Sequence, residues 1–363
     1  MKHILFYIAT ILCGGAERVL VNLANHFAAS GYDVCVVTNF AGEDEYQLDS
    51  RVTRYILEES ESQASRIVKN VTRIRALRRI LREQKPDVAV GFMVENNYRL
   101  IAATAGLPMR TVVSVRVAPQ TFHTTTSRRL LANFMYSLAD GVVFQTQEAR
   151  DFFGRRIRSR SDIIMNQVAD VFFREHLQTG NFLIACGRLV AQKNYPMLLR
   201  AFRKVLERFP EEMLRIYGVG ELHDTLVEQA QQLGIAEHVQ FMGHCSDMPA
   251  VLQEAKLLVM TSDYEGMPNA VLEALASSVP VISTDCLGGG PRDVIREGEN
   301  GYLVPVGDDA ALAERICSVL GDPQALARLR EGAGRSAQAF RSETVFAAWQ
   351  SYFEQICGEE THT

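Results

Sequence analysis

The sequence predicts an α/β protein made of two Rossmann-like, doubly wound parallel sheets. Three observations carry that expectation. Short apolar runs suited to buried parallel strands alternate with helix-forming stretches, and they do so in two separate sets. The chain has 363 residues, enough for two domains, with 47% hydrophobic and 22% charged residues, an ordinary balance for a globular enzyme. Glycine-bearing turns follow strand candidates and precede helices in both halves, as in Gly14-Gly15 and Gly187-Arg188.

In the first set the strand candidates are Ile4 to Ala9, Asp33 to Thr38, Val88 to Phe92, Thr111 to Val115 and Gly141 to Gln145, with helices at 16–29, 66–84 and 127–139 between them. The opening apolar run is short and ends in Cys13-Gly14-Gly15 with no small-residue cleavage pattern, so it reads as a first buried strand and not as a signal peptide. The second set begins at Phe182-Leu-Ile-Ala-Cys186 and continues with Met213 to Tyr217, Val239 to Met242, Leu257 to Met260 and Pro280 to Ser283. A linker is expected near Asn166 to Gln178, and Ser342 to Cys357 has helix-compatible apolar spacing around Trp349, the only tryptophan. The domains are accordingly expected at 1–168 and 169–341, followed by a terminal segment, 342–363.

Composition narrows the function. A net charge of -5 argues against a general nucleic-acid binder. Seven scattered cysteines without a Cys-x-x-Cys pair favour neither a disulfide framework nor a zinc site, and they suit a reducing cytoplasm. No run of about 18 apolar residues is present, which excludes a spanning helix. No His-x-x-x-His, His-x-His or Asp-x-Asp pattern occurs, so no bound metal and no cofactor are expected.

The stretch richest in chemistry is Asp263-Tyr-Glu-Gly-Met-Pro-Asn-Ala-Val-Leu-Glu273, where two glutamates eight positions apart flank a Gly-Met-Pro turn. It lies between an apolar strand candidate and a run of strong helix formers. The free amides of a helix start attract phosphate or electron-rich oxygen, so carboxylates placed there are better suited to accepting hydrogen bonds from sugar or ribose hydroxyls. The alternative is helix capping by Glu265 with Glu273 merely solvated. Gly266 offers backbone freedom and Pro268 fits a first helical turn. A second glycine-lined cradle follows in Ser283-Thr-Asp-Cys-Leu-Gly-Gly-Gly-Pro291. The run Gly218-Val-Gly-Glu-Leu-His223 lacks the third glycine of a dinucleotide fingerprint, which speaks against hydride transfer.

With Gly14-Gly-Ala-Glu-Arg-Val19, Gly187-Arg-Leu-Val-Ala-Gln-Lys-Asn194 and Tyr217-Gly-Val-Gly-Glu221 added, the chain resembles, nearly end to end, the retaining GT-B glycosyltransferases of glycosyltransferase family four, most closely members that build bacterial surface polysaccharides and oligosaccharides. The resemblance implies a GT-B fold, two Rossmann-like domains facing across a cleft, with the terminal helix crossing back to the first. It implies that Glu265, Arg188 and Lys193 carry catalysis, Glu265 on the transferred sugar and the two cations on the leaving diphosphate. Glu273 would hold the ribose diol. Gly266, Met267, Pro268, Gly218, Gly220, Gly243, Gly14 and Gly15 would complete the donor site, and Arg116, Arg18 and His123 would serve the acceptor. No metal is implied, and no strong enzyme nucleophile is evident, so front-face attack assisted by the leaving phosphate is the expected mechanism.

One departure concerns Ser114-Val-Arg-Val-Ala-Pro119, where many relatives carry a histidine or a Ser-Glu-Arg-Asn tetrad and this chain places Arg116. A guanidinium stays protonated and is no general base. Arg116 could bind an acceptor phosphate or the sugar, or form a cleft-edge salt bridge; His123, in a polar loop, could face the acceptor or be solvated. The tract Arg66 to Lys85 has eight Lys or Arg against one acid, Glu83, and an apolar stripe of Ile67, Val71, Ile74, Leu77 and Leu81. Such a helix suits an anionic membrane surface, or else is a surface helix packed on a core. Arg128, Arg129, Arg150, Arg155, Arg156, Arg158 and Arg160 add to the positive half. The expectation is therefore a cytoplasmic hexosyltransferase, peripheral on the cytoplasmic face of the inner membrane, moving a hexose or N-acetylhexosamine from a nucleotide sugar, UDP favoured, to a lipid-diphosphate-linked glycan. A nucleotide-sugar epimerase or hydrolase, or a non-catalytic subunit of a glycan assembly complex, are the alternatives.

Overall fold

The computed structural model describes residues 2–12, 14–58, 65–173 and 182–358. The chain divides into two compact units, one formed by Met1–Met165 with Val345–Thr363 and the other by Asn166–Thr344. The expected linker lies outside the described residues beyond Phe173, as does the expected terminal segment beyond Gly358.

The first unit holds seven parallel strands, β1 (His3–Ile8), β2 (Asp33–Thr38), β3 (Thr53–Ile56), β4 (Val88–Phe92), β5 (Arg110–Val115), β6 (Gly141–Phe144) and β7 (Ser161–Ile163), in the order β3-β2-β1-β4-β5-β6-β7. The second holds six, β8 (Phe182–Cys186), β9 (Met213–Tyr217), β10 (Val239–Gly243), β11 (Ala255–Met260), β12 (Val281–Thr284) and β13 (Gly301–Val304), in the order β10-β9-β8-β11-β12-β13, again all parallel. In each sheet the winding reverses beside the first strand, between β1 and β4 and between β8 and β11. A doubly wound sheet opens a ligand crevice at the carboxyl ends of its strands at such a point.

The ten strands read from the sequence are all present, four with the expected bounds and six with ends moved by one or two residues. β3, β7 and β13 are not among them; each is a short edge strand, and β3 and β7 lack the continuous burial that makes an apolar run. The helix expected at 127–139 is Thr126–Tyr136, because Ser137 and Leu138 fold into a turn.

One face of the first sheet is covered by helix Gly15–Ala29 and by the terminal helix Ser342–Cys357, whose Trp349 and Phe353 are fully buried with Phe6, Phe27 and Phe92. Tyr352 fastens that helix: its hydroxyl donates to the Arg160 carbonyl at 2.7 Å and accepts from the Val142 amide at 2.8 Å. The other face carries helices Arg66–Gln84, Val94–Thr104 and Thr126–Tyr136. The stripe expected on Arg66–Gln84 is buried only at its carboxyl half. Leu77 and Leu81 are in the core, whereas Ile67 and Val71 are exposed. No described helix is long and apolar enough to cross a membrane.

Candidate functional site

In the second unit, the loops leaving β8 and β11 come together at the reversal of the winding. After β8 the chain turns through Gly187 and Arg188 into a short 3-10 turn, Ala191–Lys193, and Asn194 adopts the left-handed conformation, φ 47°. Asn tolerates that region, and its side chain is used twice: Oδ1 accepts from the Met197 amide at 3.3 Å, capping helix Tyr195–Leu206, and Nδ2 donates to Asp263 Oδ1 at 2.8 Å. Gln192 donates to the Tyr264 carbonyl at 2.8 Å, the Asp263 amide donates to the Gln192 carbonyl at 2.9 Å, and the Thr261 hydroxyl donates to the Lys193 carbonyl at 2.9 Å. The two loops are thus bound to each other residue by residue.

This clasp sets the charged pair. Lys193 Nζ lies 2.5 Å from Glu265 Oε1, an ion pair between residues 72 positions apart, and Ser262 Oγ donates to the same oxygen at 2.8 Å. Glu265 is 9% exposed and Ser262 fully buried. A buried carboxylate survives only when paired and hydrogen-bonded, and here both contacts fall on Oε1 while no described residue bonds Oε2. The helix-capping alternative for Glu265 is overturned: helix Asn269–Ala276 begins four residues later, with Pro268 before it and no side-chain cap.

Glu273 occupies the second turn of that helix, half-buried. It lies close enough to the Cys186 thiol that its charge, after burial, raises the thiol's pKa. Burial, together with the charge of Glu265, likewise pushes the Cys286 thiol up to about 12, so neither cysteine is a thiolate nucleophile. Arg188 is exposed and forms no ion pair with any described residue.

The glycines work by close approach. Gly218 has φ 149°, and a Cβ on it would sit 1.9 Å from the Gly187 carbonyl oxygen; one on Gly220 would sit 2.4 Å from that of Leu189. Gly243 bends the end of β10 at φ 68°, and its carbonyl accepts from the Gly218 amide at 2.8 Å. Gly266 does not use a positive φ, contrary to the freedom expected of it; its carbonyl packs where a side chain on Gly290 would be, at 1.8 Å. Met267 is buried, and its carbonyl accepts from Asn166, which also donates to Asn269 Oδ1 at 2.7 Å. Sequence reasoning passed over Ser262, Asn194, Gln192 and Asn166; the last three act through contacts with residues 69 or more positions away. The signals for this cluster were the Gly187-Arg-Leu-Val-Ala-Gln-Lys-Asn194 run, which contains Gln192 and Asn194, and the polarity of Thr261-Ser-Asp263 at a strand end.

In the first unit, Gly14 and Gly15 stand where β1 passes into helix Gly15–Ala29, and the Glu17 carboxylate fills the space beside Gly14. Arg18 lies on the first turn, half-buried. Arg116 is buried and not exposed at a cleft edge. It is 7% exposed, its Nε donates to Ser114 Oγ at 2.8 Å, and its guanidinium lies 4.6 Å over the Phe92 ring and 5.7 Å from that of Trp349. Burial lowers its pKa to about 9, which leaves it a cation at neutral pH. His123 is buried among Tyr98, Phe152 and Phe153, not solvated in a polar loop, and desolvation with the nearby Arg128 charge lowers its pKa.

Among the described residues one trio, His3, Asp33 and Cys35, brings three possible metal ligands within 4.8 Å of one another. It lies at the amino ends of β1 and β2, the far end of that sheet from Gly14. Burial holds the Cys35 thiol up at about 11, which disfavours the thiolate a metal would require.

Two family descriptions match the chain in tandem: a glycosyl transferase 4-like domain over residues 14–166 and glycosyl transferases group 1 over 169–336. Among curated proteins it is 28% identical, over 98% of this chain and 99% of the relative, to the GalNAc-alpha-(1->4)-GalNAc-alpha-(1->3)-diNAcBac-PP-undecaprenol alpha-1,4-N-acetyl-D-galactosaminyltransferase of Campylobacter jejuni. It is 23% identical to the amylovoran biosynthesis glycosyltransferase AmsD of Erwinia amylovora, over 93% of this chain and 95% of that one. Among solved structures, sucrose-phosphate synthase from Thermosynechococcus elongatus superposes with a TM-score of 0.85 at 16% identity, covering 99% and 100% of the two chains. Anabaena Alr3699/HepE in complex with UDP superposes with a TM-score of 0.83 at 18% identity, covering 98% and 100%. With two parallel α/β units, the Lys193–Glu265 pair at the carboxyl ends of β8 and β11, and these matches from end to end, the chain belongs to the GT-B glycosyltransferases of the family-four type.

Proposed function

We propose that this glycosyltransferase moves a hexose or N-acetylhexosamine, with retention at the anomeric carbon and without a metal ion, from a UDP-sugar to a lipid-linked glycan in cell-surface polysaccharide synthesis. The observation that carries the reading is the buried Lys193–Glu265 pair with Ser262 on the same carboxylate oxygen. That bonding leaves Oε2 to accept a hydroxyl of the transferred sugar, and it holds the carboxylate in one orientation. Glu273 takes the ribose diol. Arg188, exposed and uncommitted, and Lys193 face the charge that develops on the departing diphosphate.

In this reading the bond between the sugar's anomeric carbon and the diphosphate oxygen breaks as a bond to the acceptor hydroxyl oxygen forms on the same face. The hydroxyl proton passes to the departing phosphate oxygen. Burial holds the Cys186 and Cys286 thiols above their ordinary range, which disfavours a thiolate nucleophile and supports front-face attack over a covalent cysteine intermediate. Arg116, Arg18 and His123 are assigned to the acceptor; the cationic state of Arg116 suits an acceptor phosphate. A UDP complex of a fold relative and an undecaprenol-diphosphate acceptor in the name of a 28% identical relative support the donor and acceptor classes.

The test is a thermal-shift series with UDP-, GDP-, ADP- and TDP-sugars in EDTA, since a ligand at a hundred times its dissociation constant adds about 2.7 kcal/mol of stability. A selective shift with a UDP-sugar, followed by a product with the donor's anomeric configuration in NMR, is the expected result. An inverted product, strict dependence on a divalent ion, or sugar release without any acceptor would overturn the corresponding part of the proposal.

A further inference from the structure

In the first unit a chain of buried hydrogen bonds ends on a donor that the fold itself does not use. Asn39 is the first residue after β2 and is 1% exposed. Its backbone is held on both sides: the amide donates to the Ala9 carbonyl and the carbonyl accepts from the Glu58 amide, each at 2.8 Å. Its side-chain Oδ1 accepts from the Tyr7 hydroxyl at 2.8 Å. No described residue bonds its Nδ2. Buried side-chain polar groups are as a rule hydrogen-bonded, and one left without a partner is destabilising.

Donor and acceptor chemistry fixes the direction of this chain. Arg99, 7% exposed, donates through Nε to Asn70 at 2.9 Å, through Nη1 to Asn96 at 2.8 Å and through Nη2 to Glu95 at 2.9 Å. Burial raises the Tyr7 pKa, and the Arg99 charge and a side-chain hydrogen bond from Arg99 oppose that rise. A guanidinium has no acceptor, so the Tyr7 oxygen accepts from Arg99 and its proton turns to Asn39. Asn39 then presents its oxygen to Tyr7 and both N–H bonds of Nδ2 elsewhere. The chain of bonds starts on helix Val94–Thr104, which leaves β4, passes through β1 and ends on the residue that leaves β2, so it lies along the carboxyl ends of these strands where the winding reverses. The charges beside it are matched: Glu95 with Arg99, and Glu58 with Arg73 at 2.8 and 3.2 Å. A neutral donor between matched ion pairs suits a neutral oxygen, a sugar hydroxyl or an amide carbonyl, better than a phosphate.

We propose that Asn39 is an acceptor-specificity residue whose Nδ2 donates to a neutral oxygen of the acceptor glycan, a hydroxyl or an N-acetyl carbonyl, and that Tyr7 and Arg99 are positioning residues that hold it in that orientation. The inference rests on the reading that the chain transfers a sugar to a glycan.

The experiment is initial-rate transfer from UDP-sugars to p-nitrophenyl and farnesyl-diphosphate glycosides of N-acetylglucosamine, N-acetylgalactosamine, glucose and galactose, by the full chain and its Asn39→Asp, Asn39→Ala and Tyr7→Phe variants. Asp keeps an oxygen for Tyr7 and replaces the outward donor by an acceptor, while Ala serves where a buried carboxylate prevents folding. Both Asn39 variants are expected to raise the acceptor KM about tenfold, the equivalent of one hydrogen bond, with a smaller change in kcat and an unchanged UDP-sugar dissociation constant measured without acceptor. Tyr7→Phe should raise the same KM by less, and Tyr7→Phe/Asn39→Ala no further than Asn39→Ala alone, because Tyr7 acts through Asn39. A loss confined to the N-acetyl glycosides assigns the carbonyl, and a loss with all of them assigns a hydroxyl. An unchanged acceptor KM in a folded Asn39 variant, a loss that only follows the melting temperature, or additive effects of Tyr7 and Asn39 would overturn the proposal. Transfer by the wild type to none of the glycosides would remove the glycosyl-transfer reading and the inference with it, an outcome distinct from a transferring enzyme that is indifferent to Asn39.

Discussion

Replacing Gly218 by Ala tests the geometry of the candidate donor site without touching a charged group. The added Cβ would lie 1.9 Å from the Gly187 carbonyl oxygen, more than 1 Å inside the shortest separation that real Cβ atoms show, and φ 149° is itself unfavourable for any L side chain. Neither partner moves freely. The Gly187 carbonyl accepts from the Tyr195 hydroxyl at 3.0 Å, and the Gly218 amide donates to the Gly243 carbonyl at 2.8 Å. Relief of the clash therefore costs those two hydrogen bonds, about 1 kcal/mol each, plus about 2 kcal/mol of backbone strain, for a total of about 4 kcal/mol. In a unit of this size 1 kcal/mol lowers the melting temperature by about 2–4 °C, so the second unit should melt about 8–16 °C lower. Gly307→Ala is the control: it has φ 79° but nothing within 4 Å of the new Cβ, so only strain applies. That change is expected to cost about 1–2 kcal/mol. Calorimetric melting of both variants, with UDP-sugar binding measured on the folded fraction, decides the matter. A Gly218→Ala protein that melts no lower than Gly307→Ala and binds donor normally would refute the claim that close backbone approach of the two loops builds this site.

Other perturbations separate catalysis from folding. Lys193→Ala and Glu265→Gln should each lower transfer by about 100-fold or more, and their combination should cost less than the sum, because both act through one pair; full additivity in kcat would remove the pair from the mechanism. Tyr352→Phe removes the hydroxyl shared by the Val142 amide and the Arg160 carbonyl, which still bond each other at 3.2 Å, and should destabilise the first unit by about 1 kcal/mol, which denaturant unfolding followed by Trp349 fluorescence would register. His26 and His123 both have pKa values lowered from 6.5 by burial, so the unfolded chain binds more protons there. Stability should therefore fall as pH drops below about 6.5 and be level above it. In His26→Gln/His123→Gln the fall between pH 7 and 5 should be shallower, and an unchanged slope would assign it to other groups.

Strand and helix identity were legible because they depend on local apolar patterning. Runs such as Val88 to Phe92 and Phe182 to Cys186 are buried on both faces and read the same in the sequence as in the fold. Edge strands β3 and β13 were not, since a half-covered strand needs no continuous apolar run. The glutamates, Arg188 and Lys193 stood out by type and spacing next to strand ends. That alone determined two parallel α/β units and a family-four glycosyltransferase signature.

Tertiary structure decided which groups meet. The Lys193–Glu265 contact and the Asn194–Asp263 clasp join loops that the sequence separates by 72 and 69 positions, and no local pattern encodes such a distance. It also reversed environments that residue type suggested: Arg116 is buried over Phe92, His123 lies in an aromatic nest, and Leu130, Leu131 and Phe134 face outward on a helix whose other side is core. The reason is that hydrophobic periodicity states that a helix has an apolar face, whereas burial depends on what the rest of the chain brings against it.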